Sequence, residues 1–121
     1  MEKSGGSAVL GKQRIHAGCW VDWDRKGIWR HQRFERLPAR TFRLLTCLLQ
    51  HHDHVVSIST LLSVGWPEDD RSPQDLYPYI HHLRQIIEPT PTQPQWLLTW
   101  YGYGYLLHLA PPTPHRTSSA S

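Results

Sequence analysis

The segment from Asp75 to Pro89 reads DLYPYIHHLRQIIEP and has the periodicity of a helix. Its apolar residues Leu76, Ile80, Leu83 and Ile87 recur at intervals of four, three and four residues, which places them on one face of a helix. The proline at the end of the segment stops the helix at about Ile87. The opposite face carries Gln74, Tyr77, Pro78, His81, His82 and Gln85. The pattern predicts an amphipathic helix with one packed side and one side that faces a partner.

Pro78 lies near the start of this helix, and its cost depends on which residue caps the helix. With Ser72 as the cap, Pro78 lies beyond the first turn and removes a backbone hydrogen bond, at about 3 kcal/mol. With Asp75 as the cap, Pro78 is the third helical residue, whose N–H has no partner within a helix. We favour Asp75, which shortens the helix at its N-terminal end.

Short segments on both sides of the helical region have the composition of strands. Residues 13–15, 19–22, 27–30 and 32–35 are rich in Trp, Ile, Val and Phe, and turn residues or His31 separate them. They predict a small antiparallel meander. Towards the C-terminus, Gly102 and Gly104 surround Tyr103, and this pattern predicts a hairpin of Trp96–Trp100 and Tyr103–Leu107.

Two further helices precede the segment from Asp75. Pro38 opens the first of them, and Phe42, Leu45, Leu48 and Leu49 follow at helical spacing. After an extended pair of valines, Ser57 or Ser59 caps a short second helix through Leu61 and Leu62. The chain therefore predicts an α+β fold with three helices between a meander and a hairpin.

The length of 121 residues fits one domain, which we place at residues 13–108, with a flexible N-terminus at 1–12 and a disordered tail at 109–121. Apolar residues make up 39% of the chain, which is compatible with a folded core. No apolar run reaches the roughly 18–20 residues of a membrane helix, and the N-terminus is not typical of a signal peptide. We therefore expect a cytoplasmic protein without a membrane partner.

Four segments resemble the effector domain of OmpR/PhoB response regulators. LPARTFRLL at 37–45 is similar to the family's L-T-x-x-E-F-R-L-L, and VVSISTLL at 55–62 is similar to V-V-S-x-x-x-L-L. IHHLRQIIEP at 80–89 is similar to I-x-R-L-R-x-x-L-E-P, and LLTWYGYGY at 97–105 is similar to L-x-T-V-R-G-x-G-Y. The resemblance implies a winged helix-turn-helix domain. The chain has too few residues for the family's receiver domain, so we expect a stand-alone effector domain or a fragment, and no phosphorelay role is carried over.

The resemblance implies a DNA-binding transcription regulator. Its third helix would enter the major groove of double-stranded DNA, and the hairpin would act as the wing. The positions that match the family's contact sites are Tyr77, His81, His82, Arg84 and Gln85 on the helix, Thr99 and Tyr101 on the wing, and Trp66 and Arg43 elsewhere. The loop Glu68, Asp69 and Asp70 matches the segment that family members present to RNA polymerase, although an ordinary solvated loop explains it equally well.

Several family arginines are replaced here, which weakens the expected contacts with phosphates. His82, Gln95, Tyr101 and Leu106 stand at positions where the family often has arginine. Residues 1–43 carry ten Lys/Arg and four Asp/Glu, whereas residues 44–110 carry two and six. Arg40 and Arg43 offer partial compensation, while the basic residues of the meander are expected to solubilise a sheet face. The alternative function is a degenerate winged helix that binds another protein, such as a second regulator.

Other kinds of chemistry find little support in the sequence. The cluster from His51 to His54 has no second cluster to complete a metal site, so a polar loop is the default. Cys19 and Cys47 are isolated and are expected to be reduced thiols. Trp20, Trp23, Trp29, Trp96 and Trp100 are expected to pack in the core and sheets. We expect no enzyme activity, no cofactor and no small-molecule substrate.

Overall fold

A computed structural model describes residues 11–110 of the chain. The expected flexible N-terminus and tail lie outside this range, apart from two residues at each end. Of the N-terminal stretch, Lys12 already belongs to the first strand, one residue earlier than expected. Within residues 11–110, no helix has both the length and the apolar character needed to cross a membrane.

Across residues 11–110, seven strands and three α-helices follow one another in the order that the sequence predicts. They are β1 (Lys12–His16), β2 (Cys19–Asp22), β3 (Gly27–Arg30), β4 (Arg33–Arg36), α1 (Ala39–Gln50), β5 (Val56–Ser57), α2 (Ile58–Gly65), α3 (Tyr77–Ile87), β6 (Leu97–Trp100) and β7 (Gly104–Leu107). A short 3-10 helix, Pro73–Leu76, precedes α3. The α+β fold with a meander, three helices and a C-terminal hairpin is therefore confirmed.

The four-stranded meander has the strand order β1-β2-β3-β4, and all of its pairs are antiparallel. The fourth strand begins at Arg33, one residue later than predicted. His31 adopts a φ of 57° and forms a two-residue turn together with Gln32, because left-handed backbone suits the tight hairpin between β3 and β4. Val21 and Ile28 point from this sheet into the core.

The three helices pack around a continuous core. Leu44, Leu45 and Leu48 of α1 are fully buried together with Leu61 of α2 and Leu83 of α3. Ser57, one of the two predicted caps, is the N-cap of α2. Its hydroxyl oxygen accepts a hydrogen bond from the N–H of Thr60 at 3.1 Å.

The start of α3 differs from the arrangement we favoured. Ser72, not Asp75, is the cap, but it caps the 3-10 helix and not α3 itself. The Asp75 carboxylate accepts a hydrogen bond from the N–H of Ser72 at 2.9 Å, which stabilises this first turn. The α-helix then begins at Tyr77, so Pro78 is its second residue and removes no helical hydrogen bond.

The C-terminal hairpin forms a three-stranded sheet with the order β5-β7-β6. Gly104 is required where β7 meets β5, because a Cβ atom there would lie 1.9 Å from the carbonyl oxygen of Val56. Gly102 at the tip has a φ of 83°, a conformation that favours glycine. The Gly-Tyr-Gly sequence thus specifies both the turn and the close approach of the strands.

Both cysteines are buried and free, as expected. Burial raises the pKa of the Cys19 thiol to about 12. Burial also raises the pKa of Cys47. Both are therefore protonated core residues at neutral pH.

Candidate nucleic-acid interface

Helix α3 presents a neutral polar face to solvent. Ile80, Leu83, Ile86 and Ile87 hold its other side in the core. Its exposed residues are four of the six that the sequence placed on this face, namely Tyr77, Pro78, His81 and Gln85. Of the other two, Gln74 is exposed in the preceding turn and His82 is half-buried. The amide nitrogen of Gln85 lies 3.4 Å from Nε2 of His81, so the two side chains are neighbours along the helix. This face holds hydrogen-bonding groups of the kind that read base edges, but no arginine or lysine.

Arg84 lies at the flank of that face and joins α3 to the hairpin. Its Nε donates a hydrogen bond to the carbonyl oxygen of Leu97 at 2.9 Å, and a terminal nitrogen donates to Oγ1 of Thr99 at 2.8 Å. Its guanidinium is therefore engaged within the protein and fixes the hairpin against the helix. The hydroxyl of Thr99 accepts from Arg84, so its own proton is left to be donated outwards.

The tip of the hairpin is aromatic and uncharged. Tyr101 is 88% exposed, and Trp100 and Tyr103 are exposed beside it. No lysine or arginine occurs between residues 85 and 110. Tyr77 at the start of α3 is exposed as well. Tyr105 on β7 is buried, and burial raises its pKa, as does the electrostatic influence of Tyr77 and Tyr101. The exposed surface that the hairpin and α3 share is therefore rich in tyrosine and poor in cations.

Arginines occur on the opposite flank of α3, beside the C-terminal end of α2. Arg40 donates a hydrogen bond from Nε to the carbonyl oxygen of Gly65 at 2.8 Å, and a terminal nitrogen of Arg43 donates to the same oxygen at 3.1 Å. Both guanidinium groups thus complement the partial negative charge at the end of α2. Both arginines, together with His82, also line a cleft of about 560 Å³ between the start of α1 and α3.

Trp66 is buried beneath these arginines. The guanidinium of Arg40 lies 4.9 Å from its ring centroid, and that of Arg71 lies 5.6 Å away. Tyr79 of α3 contacts it edge-on at 5.4 Å. The ring is a packing residue at the junction of α2 and α3, while the contact of its indole N–H with DNA stays a prediction.

His82 and the acidic loop lie apart from the exposed face of α3. Nε2 of His82 is 3.7 Å from the Glu35 carboxylate of β4, so it turns towards the meander. Glu68, Asp69 and Asp70 are all exposed, and Asp69 pairs with Arg71 at 3.3 Å. The loop is available for contacts, but no side chain within it is locked into one arrangement by burial.

The histidine cluster after α1, at residues 51–54, forms a set of local hydrogen bonds. Asp53, with a φ of 63°, accepts from Nδ1 of His52 at 3.0 Å and from Nδ1 of His108 at 2.5 Å. These bonds, the His52 bond first, hold the pKa of Asp53 below its ordinary value. In the part of the chain that the structure describes, no group of three histidine, cysteine or acidic side chains is arranged to hold a metal ion.

Glu88 links α3 to the hairpin, a role that the sequence did not reveal. It is 2% exposed, and its carboxylate accepts hydrogen bonds from the N–H groups of Gln95, Trp96 and Leu97 at 2.7, 2.8 and 2.6 Å. It therefore holds the start of β6 to the end of α3. The Glu-Pro sequence was interpreted only as a helix stop, and the signal that could have revealed the anchor was an acidic residue directly after an apolar helix stripe.

Comparison with known proteins adds relatives for most of the described chain. A family model described as "Transcriptional regulatory protein, C terminal" matches residues 32–107. The protein named DNA-binding dual master transcriptional regulator RpaA, from Synechocystis sp., is 43% identical over 78 residues, which cover 62% of this chain and 32% of that protein. The probable transcriptional regulator ycf27 of Galdieria sulphuraria is 30% identical over 89 residues, which cover 71% and 35%. The chain thus spans about a third of the length of these curated relatives.

The fold is similar to that of a solved structure. The response regulator DrrB, an OmpR/PhoB homologue from Thermotoga maritima, superposes with a TM-score of 0.72 at 26% sequence identity. The match covers 81% of this chain and 44% of DrrB.

Proposed function

Because this chain belongs to the family of C-terminal domains of transcriptional regulatory proteins, we propose that it binds double-stranded DNA as the DNA-contacting domain of a transcription regulator. One observation carries the proposal: α3 buries one face completely and leaves the other open beside the hairpin. The description of the relative RpaA as DNA-binding supports it.

In this proposal α3 lies in the major groove, which is wide enough to admit a helix. Gln85 pairs with the edge of an adenine, and His81 beside it offers a second hydrogen-bonding group. Thr99 donates its hydroxyl proton to a phosphate while Arg84 holds the hydrogen-bonded oxygen in place. Arg84 is thus a positioning residue, and the hairpin contacts the DNA through hydroxyl and aromatic groups.

The affinity depends on few phosphate contacts. Arg43 is exposed and offers one on the other flank of α3, where Trp66 and Arg40 lie behind it. Since each phosphate that is neutralised adds about 0.9 to the slope of log K against log salt, we expect a shallow slope.

Fluorescence anisotropy with a labelled mixed-sequence duplex at about 50 mM salt tests the proposal. Wild type binds, and the affinity falls as salt rises. The double variant His81→Ala/Gln85→Ala binds this duplex at least about 10-fold more weakly, because each good base contact contributes roughly 1–3 kcal/mol. Absence of binding at both pH 6 and pH 7.5 would refute the proposal.

A second candidate function is binding of another protein. The exposed Tyr77, Trp100, Tyr101 and Tyr103 favour it, because aromatic residues are enriched and lysine is depleted at the core of protein interfaces. The exposed loop Glu68, Asp69 and Asp70 suits a basic surface, and RNA polymerase is the partner that we propose for it. Duplex binding that is lost when residues of α3 are substituted favours DNA binding over protein binding.

The family is one of regulatory proteins, and we attribute no catalytic activity to the domain. A regulator of transcription acts where the DNA is, so we propose that the domain works in the cytoplasm. We propose neither a cofactor nor a small-molecule substrate for it.

A further inference from the structure

Aromatic rings lie in cross-strand register on the outer sheet face, by which we mean the solvent side of the meander with Lys12, Trp20, Asp22, Trp29, Phe34 and Arg36. Trp20 on β2 is opposite Trp29 on β3, and Trp29 is opposite Phe34 on β4. Because side chains alternate along a strand, Cys19, Val21 and Ile28 point into the core while these rings point outwards. Trp20 is 39% exposed, so it lies on the surface of the sheet and not in the core.

The ring of Trp29 is held in place without any ligand. Its indole Nε1 donates a hydrogen bond to Oδ2 of Asp22 at 2.9 Å, and Oδ1 of the same carboxylate accepts from the N–H of Arg25 at 3.0 Å. The Asp22 side chain is only 5% exposed. Burial alone would raise the pKa of Asp22, but these hydrogen bonds and the charges of Arg25 and Lys12 outweigh it and keep the pKa below its ordinary value.

Phe34 lies against the sheet in the same way. The ring covers Gly27, where a Cβ atom would approach it to 2.6 Å, and its centroid is 5.1 Å from that of Trp29. A side chain at position 27 would lift the ring off the backbone. The aromatic rings of the outer sheet face are therefore held in place before any partner binds, which lowers the entropy cost of binding a flat partner.

Cations are interleaved with these rings. Nζ of Lys12 lies 5.3 Å from the Trp29 ring centroid, and the guanidinium of Arg25 lies 5.8 Å from Trp29 and 5.9 Å from Phe34. Arg36 is exposed on the same face, in register with Gly27. Residues 11–36 carry seven Lys/Arg against three Asp/Glu, one of which is the buried Asp22. The face is thus both aromatic and positively charged.

A cleft opens beside Trp20. It has a volume of about 450 Å³ and is lined by Lys12, Trp20, Trp29, His31 and Gln32. Two of its walls are indole rings, and the others supply an ammonium group, an imidazole and an amide. Its volume lies within the range of small-molecule pockets, which leaves room for a nucleobase against the exposed indole.

We propose that the outer sheet face binds single-stranded nucleic acid, with a base stacked on Trp20 in the cleft and the backbone phosphates near Lys12, Arg25 and Arg36. Sheets that bind single strands combine aromatic rings for the bases with cations for the backbone, which is the combination present here. Paired bases in a duplex cannot stack on a sheet. The cations distinguish this face from the uncharged aromatic tip of the hairpin, and the site is separate from the one proposed on α3.

Anisotropy with a labelled 15-residue oligothymidylate tests the inference on the full 121-residue chain at about 50 mM salt. An abasic oligomer of the same length carries the same phosphates without bases. We expect the oligothymidylate to bind more tightly, and Trp20→Ala to weaken it by about 5-fold to 100-fold, the range for loss of one stacked base. The abasic oligomer should bind Trp20→Ala and wild type equally, while Lys12→Gln weakens both oligomers.

Trp20→Phe keeps a ring and is expected to retain most of the binding, which separates stacking from misfolding. Duplex binding by Trp20→Ala stays at the wild-type level, and His81→Ala/Gln85→Ala keeps its affinity for the oligothymidylate. Equal binding of the two oligomers, or an unchanged affinity in Trp20→Ala, overturns the inference and points to a protein partner for this face. If only the duplex fails to bind, the function proposed for α3 falls and this inference stands.

Discussion

Replacing Glu88 by alanine removes the buried carboxylate that holds the start of β6 to the end of α3. Three backbone N–H groups, of Gln95, Trp96 and Leu97, lose their acceptor at once. Each buried N–H left without a partner costs about 1–3 kcal/mol, and water that enters the site recovers part of this. We expect the free energy of unfolding to fall by about 3–5 kcal/mol, a large share of the roughly 5–15 kcal/mol of a natural domain.

Urea denaturation followed by far-UV circular dichroism measures this change. A domain of about 100 residues loses roughly 4–8 °C of Tm per kcal/mol, so the thermal midpoint should fall by at least about 12 °C. Glu35→Ala is the matched control, because that carboxylate is exposed and 3.7 Å from His82, and its removal should cost less than about 0.5 kcal/mol. If the two variants lose similar stability, the anchoring role of Glu88 is wrong.

Three further predictions concern other parts of the fold and interface. Arg84→Met removes both hydrogen bonds between α3 and the hairpin, so it should lower the free energy of unfolding by about 2 kcal/mol and weaken duplex binding on every sequence. Urea denaturation measures the first effect and anisotropy the second. Unchanged values in both would contradict the positioning role. Asp22→Asn should destabilise the protein at pH 7, because the folded carboxylate has a lowered pKa. Its contribution is complete above the ordinary value of 3.8 and is lost as the pH falls through the lowered pKa, so the gap in urea midpoints should close below about pH 4, and a constant gap would exclude this linkage. Cys19 should resist alkylation by iodoacetamide at pH 8 in the folded protein and react after unfolding in urea, because burial keeps its thiol protonated; rapid reaction in the folded state would show that it is accessible.

The pattern of apolar residues was enough to predict the elements and their order. The stripe of Leu76, Ile80, Leu83 and Ile87 is buried throughout, and the chain folds into the meander, helices and hairpin that the motifs indicated. These features follow from local spacing, which the sequence displays directly. The predicted cap of α3 was wrong, because the spacing of apolar residues does not reveal the 3-10 turn that lies between Ser72 and Tyr77.

Side-chain partners across the fold could not be predicted. Arg84 matched a basic position of the family, but its hydrogen bonds to Leu97 and Thr99 depend on how the hairpin packs against α3. The sequence predicts that Trp20 packs in the core or a sheet, and only the strand register together with its 39% exposure shows that it points outwards. Glu88 was missed for the same reason, since its three donors lie seven to nine residues further along the chain.

A map of backbone amide NMR shifts during titration with a short duplex tests directly whether the exposed face of α3 contacts duplex DNA. We expect the largest changes at Tyr77, His81 and Gln85 of α3 and at Thr99 of β6, with little change at Trp20. Changes confined to the meander, or no changes at α3 under conditions where the duplex binds, would contradict this expectation.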